Sequence, residues 1–129
     1  MASIVLRAAR AGFDVDHFLA AHPELEAEAV WHEGASGLLA SKPATTSGFN
    51  ACLADDDDHG LALTQALAAL EGLRPALHTL KTLGVDVGVD IGVFVVDGFS
   101  TNLRLANSDL RLLADLGIEL ELSMYPCAP

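Results

Sequence analysis

From Val85 to Val96 the chain alternates with a period of two. Val85, Val87, Val89, Ile91, Val93 and Val95 share one parity, and Asp86, Gly88, Asp90 and Gly92 share the other. That period belongs to an extended strand with one face in a core and one facing outward. It also removes the helical reading of the Gly84/Gly88/Gly92 spacing, which has no close-packing meaning in a strand. Whatever else the chain does, it must build a sheet around this segment and cover its valine face.

The other segments supply the parts. Ser3 to Ala9 sets Ile4 and Leu6 against Val5 and Arg7, which predicts a strand. Asp14 is placed to cap a short helix, with Phe13 and Phe18 at the spacing of a hydrophobic staple. Val15, Phe18, Leu19 and His22 share a face of that helix, and Pro23 ends it. Ala27 to His32 reads as a second strand. The stretch from Gly34 to Gly48, rich in Gly, Ser, Thr and Pro, reads as a loop or ragged hairpin. Phe49 to Ala54 reads as a third strand, with Phe49, Ala51 and Leu53 on one side.

Leu63, Leu67, Leu70, Leu73, Leu77 and Leu80 form a helical seam, and Pro75 predicts a kink or break near Leu73. Gly84 closes that helix. Asp97-Gly98 reads as a turn, with Phe99 to Leu105 pairing back. Asn107 or Ser108 is expected to cap a further helix, with Leu110, Leu113 and Ala114 inward and Gly117 at its end. Ile118, Leu120, Leu122 and Met124 then alternate with Glu119, Glu121 and Ser123 in a last strand ending at Pro126.

The order β-α-β-β-α-β-α-β predicts an α+β fold: a two-layer sandwich with a ferredoxin-like βαββαβ core extended by a C-terminal αβ unit. A length of 129 residues fits one domain spanning 1–129. A hydrophobic content of 51% argues against disorder, and only five Phe, one Trp and one Tyr leave the core to aliphatic side chains. No apolar run reaches membrane-spanning length, and no leader is evident at the start, so the expected setting is cytoplasmic. With two cysteines, a disulfide framework is not expected. Cys52, in an apolar run, is expected to be buried, and Cys127 exposed.

The formal net charge is −11, from 18 acidic and 7 basic residues. Nucleic acid and anionic membrane surfaces are excluded as partners by that balance. A basic protein is favoured, and the charge also serves solubility. If helices cover one face of the sheet, the outward parities of the two clearest strands carry Asp86, Asp90, Glu119 and Glu121. These four are expected to share one open, acidic sheet face.

Phe13-Asp14-Val15-Asp16-His17-Phe18-Leu19, Trp31-His32-Glu33-Gly34 and Ser47-Gly48-Phe49-Asn50 form one set of pieces. Leu110-Leu112-Leu113, Leu116-Gly117-Ile118-Glu119-Leu120 and Ser123-Met124-Tyr125-Pro126 form another. Together the pattern resembles a family of short bacterial domains of unknown function. Some of its members resemble immunity proteins of toxin systems. The resemblance implies a fold and a bacterial, cytoplasmic setting, and carries over no catalytic residue.

The chemistry-bearing residues make no catalytic constellation. Asp55 to Asp58 precede a helix, where carboxylates cap amides and complement the dipole; consecutive residues are poorly disposed to share one cation. His17 and His22 are five apart, the wrong spacing for a shared metal on a helix. Gly34-Ala35-Ser36-Gly37 lacks the spacing of a nucleophile elbow, and the Gly84 to Gly92 series lacks a phosphate loop's Lys-Ser/Thr ending. No metal or cofactor is expected. Trp31, His32 and Glu33, beside the polar loop, form a candidate recognition group.

The leading expectation is a non-enzymatic, acidic interaction module, an immunity-type inhibitor of a basic toxin. The alternative is a small-molecule-binding or enzymatic domain with a pocket near Trp31, His32 and the 35–48 loop. A homo-oligomer paired through an exposed edge strand is a third.

Overall fold

The computed structural model describes residues 1–35, 42–96 and 102–127. Nine elements follow in chain order: β1 (Ala2–Arg10), α1 (Val15–Ala21), β2 (Ala27–Trp31), β3 (Ser47–Asp56), α2 (His59–Gly72), α3 (Arg74–Thr82), β4 (Asp86–Val96), α4 (Asn107–Asp115) and β5 (Ile118–Cys127). The strands form one mixed sheet in the order β2-β3-β1-β4-β5. The first four are antiparallel to their neighbours, and β5 runs parallel to β4. The chain is thus α+β, with a five-stranded mixed sheet and four helices among the described residues.

Strand β1 is central, and its even residues Ala2, Ile4, Leu6 and Ala8 are completely enclosed. Val87, Val89, Ile91 and Val93 of β4 lie beside them in register and are buried as well. Helix α2 packs on β3 and β1, α3 on β4, and α4 on β5. Helix α1 joins the same side through Phe18, whose ring stacks 5.8 Å from Phe49. The opposite parity, with Ser3, Val5, Arg7 and Ala9 on β1, is not buried. Period-two patterning therefore sorts the side chains between a helix-covered face and an open one.

Local chemistry accounts for the helix ends. Asp14 accepts a hydrogen bond from the His17 amide at 3.2 Å, and Phe13 meets Phe18 at 5.7 Å, so cap and staple form together. The leucine seam is broken at Leu73. Pro75 stands in the first turn of α3, where its missing N–H costs no helical bond. Gly84 follows α3 and Gly117 follows α4, at φ of 72° and 70°, the left-handed conformation that reverses a chain after a helix.

Several expectations are corrected. Between Ile4 and Val5 the β1–β3 register shifts: Ile4 pairs with Ala54, but Val5 pairs with Cys52. Leu53 is the extra residue of a bulge, so Ala54 rather than Leu53 takes the fully buried position. Cys52 is exposed, not buried, because it follows the buried Ala51 with the opposite parity and pairs with Val5 on the open face. Cys127 is half-buried rather than exposed. Strand β2 ends at Trp31, and His32 lies beyond it.

Ala106, not Asn107 or Ser108, occupies the cap of α4, and the Asp109 carboxylate accepts from its amide at 2.8 Å. The buried face of α4 is Leu113 with the following Leu116, while Leu110 and Ala114 are exposed. The turn at Asp97-Gly98 and the start of the Phe99–Leu105 segment lie outside the described residues. Residues 102–106 form no strand, although Leu103 and Leu105 pack against the core.

Candidate functional site

The open sheet face carries a groove of about 700 Å³. Its floor is β1, with Val5, Arg7 and Ala9 facing out. On one flank Gly88 of β4 pairs with Arg7, and Gly88 and Glu119 of β5 are neighbours. Asp90 lies between Val5 and Glu121. On the other flank Asn50 of β3 pairs with Arg7. Gly88 has no side chain, so the sheet is hollow there and the carboxylates stand around the depression.

Asp86, Asp90, Glu119 and Glu121 all line this groove. The four acids picked out by strand parity are therefore brought together on one face. Asp90 is fixed by the Ser123 hydroxyl, which donates to it at 2.8 Å. Arg7 is the cation among the lining residues. Its guanidinium lies over the Trp31 ring, 5.1 Å from the centroid, and makes no ion pair among the described residues. Among the described residues, the Asn50 side-chain oxygen is buried and has no hydrogen-bond partner. A buried acceptor left in that state costs about 1–3 kcal/mol.

Trp31, His32 and Glu33 do not form one group. Trp31 lies on the open face and donates from Nε1 to the Thr46 hydroxyl at 3.2 Å. The His32 ring meets Asp16 of α1 at 2.9 Å, in an exposed pair. The Glu33 carboxylate accepts from the Gly12 amide at 2.8 Å, and its own amide donates to the Ser47 hydroxyl. His32 and Glu33 thus tie the end of β2 to the turn before α1, and their polar groups are spent on that link.

Arg7 and Asn50 were not candidates from the sequence, yet they sit at the centre of the groove. Their signal was present: each has the outward parity of its strand. A second cavity, of about 480 Å³, lies where α1 meets the α3–β4 junction. Phe13, Phe18 and Val85 form its apolar wall, and Arg10 and His17 stand at its rim, with Arg10 bonded to the Leu83 carbonyl.

The tetra-aspartate run serves the chain locally. Asp58 caps α2 by accepting from the Leu61 amide at 2.9 Å, and Asp56 accepts from the Asp58 amide at 2.9 Å. No group of three His, Cys, Asp or Glu side chains is arranged to hold a metal ion among the described residues. The Cys52 thiol is pushed up by its partial burial and then by the negative charges of Glu28 and Asp55. That makes it a poor nucleophile near neutral pH. No helix among the described residues is long and apolar enough to cross a membrane. Comparison with known protein families, curated proteins and solved structures finds no match.

Proposed function

We propose that the chain is a non-enzymatic interaction module that captures a basic protein on its acidic sheet face, in the manner of a toxin-system immunity protein. The observation that carries this reading is the groove itself. Four carboxylates surround a depression whose cation is already stacked on Trp31. A lysine or arginine side chain supplies what that site lacks, a positive charge opposite its carboxylates. A net charge of −11 adds long-range attraction that speeds encounter with such a partner. The resemblance to short bacterial domains points the same way.

The same reading takes β1 through β4, with α2 and α3 together as the second helix, as a ferredoxin-like core in a two-layer sandwich. Its support is the order β2-β3-β1-β4 with antiparallel neighbours throughout. A cytoplasmic setting is supported by two cysteines that are free.

The test uses a lysine- and arginine-rich peptide as probe. Binding is expected to weaken as salt is added, and to fall at least about tenfold when Asp86→Asn, Asp90→Asn, Glu119→Gln and Glu121→Gln are combined, a loss of roughly 1.4 kcal/mol. A control variant carries the same charge change at Asp16, Glu26, Asp57 and Glu71, away from the groove, and keeps its affinity. Equal losses in the two variants, or binding indifferent to salt, overturn the reading.

A further inference from the structure

Strand β5 hydrogen-bonds to β4 and to no other strand among the described residues. Among the described residues, its outer edge therefore presents unpaired backbone donors and acceptors along Ile118–Cys127. Natural proteins blunt such edges with lysine, inward-pointing charge, bulges or a short strand. β5 has 10 residues, no lysine or arginine, and a single proline, Pro126, near its end. The side chains it directs to the helix-covered face are apolar, and their exposure climbs along the strand. Ile118 is 8% exposed, Leu120 37%, Leu122 58% and Met124 77%. Helix α4 shelters only the beginning, through Leu113 and Leu116.

We propose that this edge docks a second copy of the chain, with the two β5 strands antiparallel about a two-fold axis at Leu122. The pattern is self-complementary in that register. Leu120 faces the partner's Met124, and Leu122 faces the partner's Leu122, so the two apolar rows merge into one strip. On the open face Glu121 meets the partner's Ser123, and Glu119 meets the partner's Tyr125, both uncharged. Charge selects this register over its neighbours. An axis at Leu120 sets Glu119 against the partner's Glu121, and an axis at Glu121 opposes that carboxylate to itself; like charges directly opposite destabilise a sheet. An axis at Met124 drives Pro126 into the ladder opposite the partner's Leu122. With the axis at Leu122, Pro126 falls at the ladder's end, where a missing N–H is tolerated. An axis at Ser123 avoids these clashes but spends Leu120 on the partner's Pro126, leaving a shorter apolar match.

The pairing joins two five-stranded sheets into one, a closed two-fold assembly without a further β5 edge. It also sets two acidic grooves side by side. Two chains of charge −11 repel, so added salt is expected to strengthen the dimer. That sign is opposite to the one expected for capture of a basic peptide, so the two proposals stand or fall separately.

Sedimentation velocity of the intact chain tests the proposal. A dimer is expected at micromolar concentration, with association rising with salt. Leu122→Lys and Met124→Lys are each expected to leave a monomer with an unchanged far-ultraviolet circular dichroism spectrum. Cross-linking checks the register in a Cys52→Ser, Cys127→Ser background. Directly opposed antiparallel residues have Cα atoms about 4.5–5.5 Å apart, within disulfide reach. Leu122→Cys is therefore expected to oxidise to a covalent dimer, and Glu119→Cys to remain monomeric. A monomer at every concentration, growth beyond the dimer, or cross-linking of Glu119→Cys as fast as Leu122→Cys overturns the proposal. Should Leu122→Lys fail to fold, Met124→Lys and the cross-linking pair decide the matter.

Discussion

The Arg7 guanidinium lies 5.1 Å above the centroid of the Trp31 ring although a whole strand separates the two residues. Arg7 is on β1, Trp31 is on β2, and β3 runs between them. Neighbouring strands are about 4.8 Å apart, so the indole must reach across β3 to meet the guanidinium. An exposed cation–π contact of this kind is worth about 0.5–1 kcal/mol. A double-mutant cycle of Arg7→Ala and Trp31→Ala, read by urea unfolding, is expected to return a coupling of that size. A coupling of zero would show that the two merely lie near each other. Because Arg7 is also the groove's cation, Arg7→Ala is expected to tighten binding of a cationic peptide, whereas Trp31→Ala leaves the groove's charge as it was.

Gly48 is what lets the indole cross. It pairs with Trp31 on one side and Ala9 on the other. A methyl group at position 48 would stand 2.6 Å from Trp31 Cζ2 and would also press on the Ala8 carbonyl oxygen. Gly48→Ala is therefore expected to destabilise the fold by about 1–3 kcal/mol, the usual scale of overpacking. Adding Trp31→Ala is expected to recover only part of that loss, since the backbone carbonyl remains in place. Full recovery, measured by the same unfolding curves, would assign the whole clash to the ring.

The four consecutive aspartates have unequal structural work. Asp58 caps α2, Asp56 holds the Asp58 amide, and Asp57 bonds to no described group. Asp58→Ala is expected to cost about 1 kcal/mol, the typical value of a helix N-cap. Asp57→Ala is expected to leave the melting temperature unchanged or slightly raised, through relief of like-charge repulsion. Equal losses at the two positions would contradict the capping role, and a rise in melting temperature with added calcium would point to ion binding instead.

Strand alternation made much of this legible in advance. The parity of Val85 to Val96 fixes which side of β4 faces out, and Glu119 and Glu121 follow by the same rule, so the acidic face could be read before its neighbours were known. Which strands adjoin was less legible. Parity says nothing of order, and the acids meet across the β4–β5 boundary only because α4 carries the chain back to a parallel neighbour. The inward face of α4 is narrower than expected: at roughly 100° per residue Leu110, Leu112, Leu113 and Leu116 fall within an arc of about 160°, and the buried Leu113 and Leu116 lie near its centre while Leu110 stands at its rim and Ala114 beyond it. Trp31, His32 and Glu33 are adjacent in sequence but leave the end of β2 in different directions, and adjacency was mistaken for convergence.

The bulge at Leu53 escaped for a related reason. Leu53 and Ala54 are apolar alike, so nothing in the order Ala51-Cys52-Leu53-Ala54 shows where the alternation slips. Just before the slip, Cys52 keeps the outward parity of Asn50 and is exposed, and its thiol is held above its ordinary range by partial burial, then by Glu28 and Asp55. The thiolate is the reactive form. Cys52 is therefore expected to be alkylated by iodoacetamide at neutral pH more slowly than a cysteine in a short peptide, despite its exposure. Glu28→Gln and Asp55→Asn should each speed the reaction by removing a negative charge. The stability effect carries a definite sign. A raised pKa in the folded state means that the folded chain holds the proton longer than the unfolded chain does. This contribution is complete below the ordinary thiol value and is lost as pH rises through the raised one. Cys52→Ser is thus expected to flatten the alkaline limb of a stability–pH curve and leave the neutral region unshifted. An alkaline limb identical to that of the unaltered chain would place the alkaline loss in other groups.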